Sequence, residues 1–143
     1  MVYAYPVTLS RDRNGTTIAE SVDVPGAVTT GNTPEQALER LPDALIVMLA
    51  ACMEQRKPLP LPSRPRRGQA TAPLPPMVAA KLALYEAMRQ QRLSQTQLAT
   101  RLRCDPKQIR RLLDLDHASR LEQLDTALQA VGKRLIVEVR DAA

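Results

Sequence analysis

Phenylalanine and tryptophan are absent from the 143 residues, which hold only three tyrosines, one histidine and two cysteines. Any core must therefore be built from Leu, Val, Ile, Ala and Met, and the aromatic platform on which most single-strand RNA readers stack bases is missing. Cys52, Cys104 and the lone His117 cannot complete a four-ligand structural zinc site without carboxylates, so no metal and no cofactor is expected. Two thiols in apolar surroundings, with no basic-then-apolar leader, predict a cytoplasmic protein with reduced cysteines. The longest uncharged apolar run, residues 44–53, is far too short to span a bilayer, so no membrane partner is expected.

Charge and proline are present, and both are unevenly placed. Residues 1–56 hold four arginines and seven acids, whereas residues 57–143 hold sixteen basic residues and eight acids. The two halves are thus expected to face different partners. Between them, residues 57–76 (KPLPLPSRPRRGQATAPLPP) carry seven of the twelve prolines and four basic residues, and read as an extended linker. The predicted organisation is a domain over 1–56, a basic linker over 57–76 and a second domain over 77–143.

In the first domain, alternation over residues 2–9 places Tyr3, Tyr5, Val7 and Leu9 on one strand face, and Asn14-Gly15 favours a tight hairpin turn. A second strand is expected over about 16–24, a break at Pro25-Gly26, and a short third strand over 27–30. Thr33-Pro34-Glu35-Gln36 has the pattern of a capping box opening a helix. That helix would cover the sheet with Ala37, Leu38, Leu41, Leu45, Met48, Leu49 and Cys52, and Pro42, which offers no amide to the Leu38 carbonyl, predicts a kink. Three antiparallel strands under one helix leave two open sheet edges, which invite partners.

The strand, the Asn-Gly hairpin, the passage VPGAVTTGNTPEQAL over residues 24–38, the long helix and the closing PLPLPS at 58–63 together resemble the HicB antitoxin family. The resemblance implies a reduced ribonuclease H-like ββα module joined to a C-terminal DNA-binding element, and a HicA-type ribonuclease toxin as partner. Catalysis of the ribonuclease H kind would need carboxylates converging on two metal ions. The available acids are Asp12, Glu20, Asp23, Glu35, Glu39 and Asp43, and on one strand Glu20 and Asp23 would point to opposite faces. They are read as surface acids, no enzyme is expected, and Glu20, Asp23, Glu35 and Glu39 become candidates for toxin contact.

In the second domain a helix is expected over 77–92. Three further starts carry cap and partner three residues apart: Ser94 with Gln97, Asp105 with Gln108, Ser119 with Glu122. They open helices over 95–102, 106–113 and 120–131, the last closed by Gly132. The three-residue turn at 103–105 has the spacing of a helix-turn-helix, and SQTQLATRLRCDPKQIRRLL over 94–113 resembles the Cro/CI-repressor type. Arg103 stands where that type often has glycine in a left-handed turn, a departure costing about 1 kcal/mol. Seven basic residues against one acid over 89–111 favour double-stranded operator DNA as a partner. Lys107 and Arg111, four apart and opposite Ile109, are expected to meet base edges, with Gln108 and Arg110 flanking them and Gln95 and Thr96 suited to phosphates.

Residues 134–140 (RLIVEVR) alternate charged and apolar side chains with no sheet beside them. A lone strand is unstable, so Leu135, Ile136, Val137 and Val139 are expected to pair with the same strand of a second copy. The expected fold class is α+β, a small antiparallel sheet with one helix followed by an all-α domain ending in a strand. The expected function is an antitoxin that blocks a ribonuclease and represses its own operon as a homodimer, or as a tetramer through the sheet edges. The alternative is a ligand-sensing helix-turn-helix repressor without a toxin partner.

Overall fold

In the computed structural model, which describes residues 2–142, the alternating N-terminal stretch forms β1 (Ala4–Arg11), with Tyr3, Tyr5 and Val7 buried on one side. Asp12 Oδ1 accepts hydrogen bonds from the amides of Asn14 (2.8 Å) and Thr16 (2.9 Å), and of the pair 14–15 only Gly15 takes a positive φ, +79°. The hairpin is therefore a longer turn organised by the Asp12 carboxylate, not a two-residue turn. β2 (Thr17–Ser21) ends three residues before the expected Val24, because Ser21 Oγ accepts the Val24 amide at 3.2 Å and starts the turn through Gly26. β3 (Val28–Gly31) follows.

Thr33 Oγ1 caps α1 (Pro34–Glu54) by accepting the Gln36 amide at 3.1 Å, while Gln36 Oε1 reaches back to the Asn32 amide at 2.7 Å. The helix is continuous through Pro42, and its stripe Ala37, Leu41, Leu45 and Leu49 is closed to solvent. A methyl group at Gly31 would lie 2.6 Å from the Ala37 nitrogen, so the end of β3 and the start of α1 touch as only glycine permits.

The sheet has four strands, ordered β3-β2-β1-β4 and antiparallel throughout, because β4 (Thr71–Pro73) pairs with β1. β4 comes from the stretch expected to be a linker. That stretch is a strap: Leu59 is buried, the Tyr5 hydroxyl donates to the Pro60 carbonyl at 2.8 Å, and Asp23 Oδ2 accepts from both the amide (2.8 Å) and hydroxyl (3.0 Å) of Ser63. Prolines do not prevent the pairing, since its bonds run from Val7 N to Ala70 O and from Leu74 N to Tyr3 O, both 2.9 Å, at positions that keep their amides. Burial pushes the Tyr5 phenol above its ordinary pKa, with the nearby Tyr3, Asp23 and Cys52 adding to the effect.

The chain divides between Ala79 and Ala80, and the second unit is helical: most of α2 (Pro76–Gln90), then α3 (Gln95–Leu102), α4 (Pro106–Leu113) and α5 (Leu121–Ala130). Leu82, Leu84, Leu98, Ile109 and Leu124 are fully enclosed. Ser94 and Gln97 form the complete capping box at α3, and Asp105 Oδ1 caps α4 through the Lys107 amide at 2.8 Å. The cap expected from Ser119 does not form: α5 has Arg120 at its N-cap without a side-chain bond, and Ser119 Oγ is used elsewhere. The last residues, 134–142, carry no ladder within the chain, so the expected terminal strand is absent from a single copy, as a strand without a neighbour must be.

Because Leu59 anchors the strap, Leu59→Ala should cost the first unit about 2–4 kcal/mol. Amide hydrogen exchange should show the loss at Val7 and across β1 and β4, with the amides of α3 to α5 unchanged; faster exchange spread over both units would show that the strap is not what Leu59 holds.

Candidate functional site

The α3–α4 pair is set by its turn. Arg103 lies in the left-handed region at φ +53°, and the amides of Arg103 and Cys104 bond back to the carbonyls of Thr100 (3.2 Å) and Ala99 (3.0 Å). This closes α3 and redirects the chain into Asp105, whose cap starts α4. Leu98, Ala99, Ile109 and Leu112 are buried where the two helices meet. The opposite side of α4 is open: Lys107, Gln108, Arg110 and Arg111 are all exposed, with Lys107 pointing most directly away from the buried pair Ile109 and Leu112 and Arg110 and Arg111 on either side of it. Gln95 and Thr96 are exposed at the first turn of α3, where helical amides have no intrahelical acceptor. Cations beside free amides can neutralise phosphates, and the Arg and Gln side chains of α4 have the donor geometry that reads guanine and adenine edges.

What holds α4 in this orientation is Lys81 of α2, fully buried, a residue with no assigned role in the sequence reading. Its ammonium donates to the carbonyls of Arg111 (2.9 Å), Asp114 (2.6 Å) and His117 (2.7 Å), and Ser119 Oγ is a fourth oxygen at 2.9 Å. The three carbonyls come from the end of α4 and the loop after it, so one cation ties the helix end to the loop and opposes the negative end of the helix dipole. Burial lowers the Lys81 pKa from its ordinary value, an effect the Asp114 charge partly opposes. The signal in the sequence is a lysine inside VAAKLALYEAM, surrounded by apolar residues at every helical spacing.

The four acids considered for protein contact do not converge. Glu20 is exposed on the sheet face turned away from the buried side of Thr17, Ala19 and Ser21, between Thr8 and Val28 in register. Glu35 and Glu39 are exposed on α1, which covers the other face. Asp23 is not on β2 but in the turn after it, where the Ser63 bonds already occupy it. Among the described residues no three His, Cys, Asp or Glu side chains are grouped as metal ligands would be, and no helix is long and apolar enough to cross a membrane.

The tail leaves the helical unit at Leu135, whose amide donates to Asp125 at 3.4 Å; Ile136, Val137 and Val139 are exposed, the last to 91%. Glu138 and Arg140, two apart, form a salt bridge at 3.0 Å along it. In the second unit a cavity of about 360 Å³ is floored by Leu102, Ile109 and Leu112 and rimmed by Arg111, His117 and Glu122.

Comparison with known proteins finds relatives of the sequence. Residues 4–83 match the family described as the HicB-like antitoxin of bacterial toxin-antitoxin systems. The chain is 36% identical over 131 residues to Antitoxin HicB 2 of Photorhabdus laumondii, an alignment spanning 92% of each protein. Antitoxin HicB of Escherichia coli K12 is 34% identical over 92% of this chain and 95% of its own, and that of Pseudomonas fluorescens 31% identical over 84% and 83%.

Replacing Lys81 by methionine keeps the length of the side chain but removes its bonds to three carbonyls and the Ser119 hydroxyl. Lys81→Met should therefore destabilise the second unit by about 2–4 kcal/mol. Thermal unfolding followed by circular dichroism measures this, and a midpoint equal to that of the parent protein would refute the assigned role.

Proposed function

The chain belongs to the HicB-like antitoxin family, and from that premise we propose that its two units carry two activities in the cytoplasm. The first unit binds and blocks a HicA-type ribonuclease, and the second binds the operator of its own operon as a homodimer. The role is that of a non-catalytic regulator. The observation that carries the DNA half is the open side of α4, where Lys107 and Arg111 stand four residues apart on a helix fixed underneath by Ile109 and Leu112 and at its end by Lys81. The toxin half rests on family membership, with the uncovered sheet face around Glu20 and the free edges of β3 and β4 as the surfaces available for contact.

Dimerisation is assigned to the tail. Its apolar side chains alternate, it forms no ladder inside the chain, and two copies related by a two-fold axis would supply each other's missing bonds. A two-fold dimer in turn suits a palindromic site read by two α4 helices. The ligand-sensing alternative has one observation behind it, the cavity beside α4. Co-purification with the product of an adjacent small basic gene, and inhibition of that product's RNA cleavage, separates the two; a chain that binds operator DNA but no neighbouring gene product favours the ligand-sensing reading.

For operator binding, Lys107→Ala and Arg111→Ala should each lose about 1–3 kcal/mol of discrimination between operator and random duplex at fixed salt, with toxin inhibition intact. An unchanged ratio for Arg111→Ala would remove α4 from base reading. Deleting residues 134–143 should give a monomer in sedimentation velocity with much weaker operator binding, and a truncated chain that still sediments as a dimer would refute the tail pairing.

A further inference from the structure

The strap of the first unit carries a feature to which the readings above assign no role. Arg64, Arg66 and Arg67 fall within four residues, all three are exposed, and among the described residues none makes a salt bridge. Their backbone is held on both sides. Before them, Ser63 is bound twice to Asp23. After them, Ala70 accepts the Val7 amide at 2.9 Å and Thr71 is paired in β4. The tip itself is closed reciprocally, with the Gln69 amide donating to the Arg66 carbonyl and the Arg66 amide to Gln69 Oε1, both at 2.9 Å, over a Gly68 at φ +76°. Pro65 fixes the chain between the first two arginines.

We propose that this arginine tip is a second, sequence-independent contact to the phosphate backbone of duplex DNA, made by the first unit while α4 reads bases. A merely solvated charge run has a flexible backbone and is interspersed with acids; here three arginines extend from a backbone held by a closed turn, with no acid among residues 55–85. Arginine forks suit phosphate oxygens by paired hydrogen bonds. The covalent link supplies the proximity: eight residues lie between Arg67 and Pro76, the first residue of α2, a tether of at most about 30 Å. That is less than one turn of duplex, so once the second unit is docked the tip meets phosphates at a high effective concentration.

The inference rests on the reading that this chain binds duplex DNA, and its test uses a random duplex beside the operator so that the two can fail separately. Affinities of the full-length protein for both duplexes are measured by fluorescence anisotropy across a range of KCl concentrations, for the parent chain and for the triple variant Arg64→Gln, Arg66→Gln, Arg67→Gln. Each lost phosphate contact lowers the slope of log affinity against log salt by about 0.9, so the triple variant should lose up to about 2.7 on both duplexes while keeping its operator-to-random ratio. The single variants Arg64→Gln and Arg67→Gln, each expected to lose about 0.9, serve if the triple variant folds poorly. Unchanged slopes on both duplexes overturn the proposal, as does a loss of toxin affinity with DNA slopes intact, which would make the tip a protein contact. A parent chain that shows no preference for the operator defeats the operator reading, while a slope change on the random duplex still supports the tip.

Discussion

One buried ammonium organises the second unit. Among the described residues Lys81 is the sole charged side chain that is buried, and its cost of desolvation is met by carbonyls at 2.6–2.9 Å. The consequence runs outward. The end of α4 cannot rotate without breaking the bond to Arg111, so the direction in which Lys107 and Arg111 leave the helix is fixed by a residue on another helix. The loop to α5 is drawn in through Asp114 and His117, and Ser119 is turned from its expected capping role toward the ammonium. α5 starts without a side-chain cap as a result, a loss on the order of 1 kcal/mol that the network around Lys81 offsets.

The same pressure shows at the helix ends. α1, α2 and α3 each close with an arginine in the left-handed region, Arg56, Arg92 and Arg103, and each closure has the same pair of bonds running back into the last turn. Glycine would avoid a strain of about 1 kcal/mol at each place. Arginine instead brings a cation to the carbonyl end of the helix dipole, and around α3 and α4 it also adds to the basic surface. The sequence reading anticipated this conformation at Arg103 alone, because only there did a motif mark the residue as a turn position.

Signals carried by a few adjacent residues were legible: the bounds of α3 and α4 follow from Ser94, Asp105 and Pro106 and match the structure residue for residue. Signals that depend on partners distant in sequence were not. β4 lies in a proline-rich stretch, and nothing local distinguishes a strap from a linker; the difference is made by Tyr5, Asp23 and β1, roughly forty to seventy residues away in sequence. Ser119 has the local pattern of a cap and was claimed by Lys81, thirty-eight residues away. The hairpin at Asn14-Gly15 was placed correctly, but Asp12 was weighed as a possible metal ligand when its carboxylate was already spent on the turn.

Inclusion of the strap changes the electrostatics of the first unit. Residues 1–56 carry a net charge of −3, but residues 57–79 add four basic side chains, so the unit as folded is close to neutral. Its acids are also divided between the two sides of the sheet, with an Asp23 oxygen held by two hydrogen bonds from Ser63. Long-range attraction of a basic ribonuclease to this unit is therefore weak, the more so because exposed charges are screened beyond about 8 Å at physiological ionic strength. Under the proposed function, toxin recognition must then come from short-range contact, and the uncovered sheet face supplies it: Val22 and Val28 are exposed beside Glu20, next to the unpaired backbone of the β3 edge. A carboxylate set among β-branched side chains at a free edge can pair with one cation of a partner while the strand adds to its sheet, which ties affinity to shape and backbone bonding and leaves charge to fix the register.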